Sequence, residues 1–257
     1  MKLPAYFRSI VFLALAAISP LATAMSFYAS PPYLYLGGSV VRSDWDAWED
    51  AMKKFDGKID TVVLHDSGGG DSLAGRRIGD DIRTRKLGTV VLGRCSSACA
   101  NMFLGGVTRQ YAEQKSRVHT VLGYHGSYNK VTKELNRKKS PDYFLKMTDG
   151  KMSEEFVERF IRLENKKGLL RMVHPMQLLR ASEPLAMLCK GDEERSRLEE
   201  QCEKLADVDA LSKGVVTTWD TRDVPTPPSA TREKITVKSW ATTVKPANSS
   251  IDELAGG

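Results

Sequence analysis

The sequence predicts an α/β protein built on a parallel sheet with crossover helices. Three observations carry that reading. β-Branched runs alternate with helical segments from Tyr33 to Leu122, glycine-rich turns close those runs, and the residues with reactive side chains fall at strand ends. Strands that alternate with helices pair in parallel, because a crossover helix returns the chain to the start of the next strand.

Tyr33 to Leu36 reads as a short apolar strand ending at Gly37-Gly38. Ser43 or Asp44 caps a helix in which Trp45, Trp48, Met52 and Phe55 recur at helical spacing as core anchors. Gly57 ends it, and Ile59 to Leu64 is a β-branched strand running into Ser67-Gly68-Gly69-Gly70. In the next helix Leu73, Ile78 and Ile82 line the core face, while Arg76, Arg77, Arg83 and Arg85 face out. Gly75 and Gly79 lie four apart, where a second backbone can come close. Thr89 to Leu92 is a strand, followed by the Gly93 turn and a helix through Ala98, Met102 and Phe103. Val118 to Leu122 is a further strand that leads into Gly123-Tyr124-His125-Gly126.

Residues 127–180 read as a charged helical insert, anchored by Phe144, Phe156, Phe160, Leu163 and Leu169-Leu170, and suited to a lid or an assembly surface. Asp207 to Gly214 reads as a last helix, with Val215-Val216 a closing strand. From Thr221 Pro, Thr, Ser and Lys dominate without apolar periodicity, which predicts a flexible tail over 221–257.

The first 24 residues read as an export signal: Lys2 and Arg8, the apolar run Ile10 to Ile18, then Ala22-Thr23-Ala24 as a cleavage site. The run is too short for a membrane span, which needs about 20 apolar residues. Cleavage after Ala24 leaves 233 of the 257 residues, enough for one domain over 25–220 in the periplasm or outside the cell. The formal charge then falls from +6 to +4, since the signal carries two cations and no acid. No basic stripe accompanies that charge, so nucleic-acid binding is not predicted. The cluster Arg137-Lys138-Lys139 reads as a solvated loop, with an anionic membrane surface as the second reading.

Four cysteines in an exported chain predict disulfides. Of the three pairings, Cys95–Cys99 with Cys189–Cys202 is preferred. Cys95 must then lie in the turn rather than the helix, because disulfide geometry is tight. No histidine lies at ligand spacing from either pair, so no metal site is predicted.

In open parallel sheets the site lies beyond the carboxyl ends of the strands. Ser67, the turn before Ser97, and His125 all fall there. A serine hydroxyl becomes nucleophilic when a base takes its proton. The plainer role for Ser97 is capping the helix that begins near Ala98. Ser96 is displaced by one position, His65 neighbours the Gly68–Gly70 turn where it can orient a substrate, His119 lies within a strand and His174 in a loop. Ser67-Gly68-Gly69-Gly70 lacks the Lys-Ser/Thr ending of a phosphate loop.

Three stretches resemble the Clp-peptidase/crotonase superfamily, especially its exported bacterial members of unassigned role. Asp66 to Gly75 resembles the family's Ser-Pro-Gly-Gly turn and following helix. Gly93 to Gly106 is similar to its nucleophile turn, and Ser116-Arg117-Val118 with Tyr124-His125 to the strand that delivers its histidine. The resemblance implies a spiral parallel-sheet core and hydrolysis of an amide or ester bond in a peptide or acyl ester. It makes Ser97 the nucleophile and His125 the general base, with the Gly69 and Ala98 N–H groups as the oxyanion hole. It also implies self-association and no cofactor, acyl-CoA being out of reach of an exported protein. The third, acidic member lands near Cys202, leaving Glu203, Asp207 and Asp209 as neighbours that can substitute. Gly68 stands where the family has proline. The missing acid and this glycine support the alternative, an inactive binding or scaffold protein of the cell envelope.

Overall fold

The computed structural model describes residues 24–113, 119–129, 131–138, 140–178 and 183–226. Residues 1–23 of the expected export signal and residues 227–257 of the expected tail lie outside the described residues. Strands β1 (Ser26–Ser30), β2 (Tyr33–Val40), β3 (Thr61–Gly70), β4 (Gly88–Ser96) and β5 (Arg109–Tyr111) are interleaved with helices α1 (Asp44–Lys54), α2 (Ser72–Thr84) and α3 (Ala98–Leu104). Then come β6 (Val121–Tyr124), α4 (Asp142–Met147), α5 (Glu154–Ile161), β7 (Leu169–Val173), β8 (Ala186–Cys189), α6 (Leu198–Gln201) and β9 (Glu203–Lys204). The strands form one sheet in the order β1-β2-β3-β4-β6-β7-β8-β9, with β5 beside β4. The pairs β2–β3, β3–β4, β4–β5 and β4–β6 are parallel, so the predicted α/β class and crossover pattern stand.

The two faces of the sheet are covered unequally. Leu34, Leu36, Val62 and Leu64 alternate with Tyr35 and Val63 along β2 and β3, as period-two strands require. The first set joins Trp48, Ile78, Ile82 and Phe103 from the helices in the main core. The second meets Val90, Ala112 and Val224 in a smaller cluster. Gly75 sets the α2–α3 approach: a Cβ there would lie 2.5 Å from the Ala98 carbonyl oxygen.

Several expectations are corrected. An additional antiparallel strand, β1, precedes Tyr33 and covers the edge of β2. Leu73 is 43% exposed rather than in the core. Arg76 lies over the Tyr143 ring, and Arg83 donates to the carbonyls of Leu104, Gly105 and Met147, so neither simply faces out. Among the described residues, the segment expected to be a helical insert is α-helical at α4 and α5 alone, with a single 3-10 turn at Pro175–Gln177. Leu170 and Met172 are buried either side of Arg171, a period of two, and form β7 antiparallel to β6. The strand expected at Val118 begins at Val121, Val118 itself lying outside the described residues. Asp207 to Gly214 is a run of turns, because Asp209 Oδ1 accepts from Leu211 N and Ser212 N and competes with helical bonding. The flexible tail does not begin at 221. Arg222 pairs with Ala112, Val224 is buried, and the Tyr35 hydroxyl donates to the Pro225 carbonyl at 3.0 Å.

Candidate active site

Ser97 and His125 border one cavity because their strands are neighbours. In the parallel β4–β6 pair Ser96 stands opposite Gly123, so the first residues beyond each strand leave the sheet at the same end. The Ser97 N–H donates to the Gly123 carbonyl at 2.8 Å, fastening the turn to β6. Both residues line one cavity of about 710 Å³, together with Gly68, Gly70 and Asp71 from the end of β3 and with Tyr128.

The backbone at Ser97 has φ 57° and ψ −121°, outside the regions a residue with a Cβ ordinarily occupies. Such a conformation costs on the order of 1–3 kcal/mol and persists only where its surroundings enforce it. Here they are the bond to Gly123 and the Cys95–Cys99 disulfide, which brackets the turn with Cα atoms 5.3 Å apart. Cys95 is the penultimate residue of β4 and Cys99 lies in α3. The Ser97 hydroxyl makes no capping bond to α3, so the plainer explanation of this serine does not apply.

Gly69 is the other half of the turn. With φ +89° it has no room for a side chain: a Cβ would lie 2.6 Å from Ser97 Cβ and 2.8 Å from Ala98 N. Its own N–H donates to Ser67 Oγ at 3.2 Å, a long bond within the β3 turn. Asp71 caps α2, its Oδ1 accepting from Leu73 N and Ala74 N, while its Oδ2 accepts from Arg42 Nε at 3.0 Å.

The imidazole of His125 is largely buried, and burial lowers its pKa from 6.5 to about 4. Its Nδ1 is buried without a hydrogen-bond partner. None of Glu203, Asp207 and Asp209 reaches it. Glu203 pairs with Arg159 at 2.6 Å, Asp209 is spent on its own turn, and none of the three lines the cavity. The ring is instead stacked on Tyr128, with centroids 5.3 Å apart and planes 28° apart. The Tyr128 hydroxyl donates toward the Leu163 carbonyl at 2.6 Å and lies 3.1 Å from that of Asn165. Tyr128 was not legible as a site residue, since nothing local marks an aromatic three positions after a histidine.

The other candidates go elsewhere. Ser96 is buried within β4. His65 packs on Gly37 and is absent from the cavity lining, while His119 lies before β6 and outside it. His174 is buried, its Nδ1 accepting from Met176 N and its Nε2 2.7 Å from the Trp219 carbonyl. Cys189 and Cys202 are bonded, at an S–S distance of 2.03 Å, so both expected disulfides are present.

No protein-family model matches the chain, and no curated protein does. Solved structures overlap it in part. ClpP1 from Listeria monocytogenes is 15% identical over 72% of this chain and 89% of that one, with a TM-score of 0.42. A membrane-bound stomatin-specific protease is 11% identical over 71% and 75%, with a TM-score of 0.38. A putative enoyl-CoA hydratase/isomerase from Bordetella parapertussis is 14% identical over 39% and 53%, with a TM-score of 0.30, so this chain spans about half its length. These are the kinds of structure the resemblance named. Overlaps so partial say nothing about chemistry, which rests on the geometry of the turn, the imidazole and the cavity.

Proposed function

We propose that the protein is a serine hydrolase that cleaves an amide or ester bond. The observation that carries this reading is the Ser97 turn: a strained serine that caps nothing, opening into the cavity that His125 also lines. In this reading Ser97 attacks the carbonyl carbon and His125 takes the hydroxyl proton, then returns it to the leaving group. The Ala98 N–H, with the Gly69 N–H released from its long bond to Ser67, holds the oxyanion; one such donor is worth roughly 2.7–4 kcal/mol in comparable sites. The neutral imidazole is the form a base needs, and a ring kept neutral by burial has it across the physiological range. Export to an oxidising compartment belongs to the same proposal, supported by the two disulfides and the N-terminal signal pattern.

A second reading, a binding module that has kept the turn without the chemistry, is favoured by the partnerless Nδ1 of His125. A carboxylate there fixes the tautomer, and its loss costs about four orders of magnitude in a comparable triad. Reaction of the folded protein with an alkyl fluorophosphonate separates the two. The hydrolase is labelled, Ser97→Ala is not, and His125→Gln reacts roughly 10²–10⁴ times more slowly. Folded protein that stays unlabelled between about pH 5 and 9, where the ring is neutral, is the binding module.

A further inference from the structure

Asp44 opens α1 with a carboxylate that is shut away from water. Acids in a first helical turn are favoured by the helix dipole and are ordinarily solvated, yet Asp44 is 1% exposed. Its Oδ2 accepts from the Val41 N–H at 2.7 Å, and the Met25 N–H also stabilises the charged form. Among the described residues no cation pairs with it. The charge that acts on it is a second acid, Asp71, whose own Oδ2 accepts from Arg42 Nε. Burial, and then Asp71, raise the Asp44 pKa above the usual carboxylate value. A buried charge is costly unless it is paired, and this one rests on backbone amides without a counter-ion.

Met25 stands one residue past the expected cleavage point after Ala24. Ser26 pairs with Gly37, which puts Met25 beside Gly38 near the carboxyl end of β2, the end from which Val41 and Asp44 follow. The side chains of Met25 and Phe27 are buried and fix that backbone, while Ala24 is exposed. We propose that cleavage between Ala24 and Met25 installs the missing counter-ion: the Met25 amide nitrogen becomes an α-ammonium that pairs with Asp44. Water supplies the step. Its hydroxyl ends on the Ala24 carbonyl carbon, which leaves as a carboxylate, and its proton on the Met25 nitrogen, which takes a second proton from solvent near neutral pH. The inference rests on the export reading and needs no turnover at Ser97. It bears on the cavity through backbone bonds. Asp44 holds Val41 N, and the adjacent Val40 pairs with Gly70 and accepts from Asp71 N at 2.8 Å. Gly70 and Asp71 line the Ser97 cavity. A counter-ion that fixes Asp44 therefore tightens that wall, and the uncut chain holds it more loosely.

Three proteins that differ at this amine test the pair. One begins at Met25 with a free amine. The second begins at Met25 with that amine acetylated, which restores a neutral amide, and the third carries Ala22-Thr23-Ala24 ahead of Met25. Each amino terminus is confirmed by mass. Near neutral pH the free-amine chain is expected to melt at least about 4 °C above the other two, the scale of one charge-assisted bond in a domain of this size. Amide exchange at Val41 and Asp71 is expected to be slower in it by about tenfold. Asp44→Asn removes both differences; should that variant not fold, the acetylated chain carries the comparison. Equal melting of the three chains, or a difference that survives Asp44→Asn, overturns the pair and leaves the export reading in place. Amino-terminal sequencing of protein secreted from the full-length gene tests that reading separately. A start at Met25 is expected, and a start at any other residue overturns the cleavage and this inference with it.

Discussion

At His125 two effects pull on the same ring. Burial drives its pKa to about 4, and the stack on Tyr128 covers one face while the buried Nδ1 goes without a partner. A base works in its neutral form, so the limb of the pH–rate profile is set by the folded-state pKa. The fluorophosphonate rate is therefore expected to rise through about pH 4 and then stay level to pH 8. A limb near 6.5 would mean a hydrated ring. Tyr128→Ala uncovers the imidazole, and the limb moves up toward 6.5 as water returns; Tyr128→Phe keeps the stack and moves it less. At Gly69 the expected outcome is sharper. A methyl added at this position would sit 2.8 Å from Ala98 N, in the space where an oxyanion would form, at a φ of +89°. Gly69→Ala thus loses labelling by at least about a hundredfold, the scale of one oxyanion donor, measured on protein whose circular dichroism confirms folding.

The elements that hold the turn are β4 and α3, and the Cys95–Cys99 bridge ties the end of one to the start of the other. So short a loop gives up little chain entropy, and the double variant Cys95→Ala/Cys99→Ala is expected to lose about 2 kcal/mol in urea unfolding. Its larger effect is on the strained Ser97 backbone, which is then held through Gly123 with no covalent bracket. Labelling slows by more than the unfolded fraction explains, and unchanged labelling would show that the disulfide serves stability alone. Much at this scale was legible. The strand–helix alternation, the Gly75 approach of α2 to α3 and both disulfides follow from residue type and spacing. The return strand β7 was not, because Leu169-Leu170 inside a charged stretch fits a helix and a strand equally. Only its pairing with β6 decides between them. Asp207 to Gly214 failed for a different reason: a local side-chain bond from Asp209 won over helix propensity.

For the whole molecule, the same buried imidazole links stability to pH. Its folded pKa lies below its unfolded value of 6.5, so the unfolded chain binds the extra proton. The stabilisation is complete above pH 6.5 and is lost as pH falls toward 4, up to about 3 kcal/mol. Asp44 works in the opposite sense: burial raises its carboxyl pKa, so its cost is relieved on acidification. Urea midpoints of wild type and His125→Gln between pH 7 and 4 isolate the histidine contribution, with the variant expected to show the shallower fall. That Ser97 and His125 come to the same end of the parallel strands was readable from the sequence, because topology sets it. The ring stacked on His125 was not, since Tyr128 reaches it through a loop whose course depends on anchors at Leu163 and Asn165. The central question is which hydroxyl is reactive. Mass spectrometry of the proteolysed fluorophosphonate adduct decides it: one probe per chain on Ser97 is the predicted result. A modification at Ser96, a scatter over surface serines, or no adduct on folded protein would contradict it.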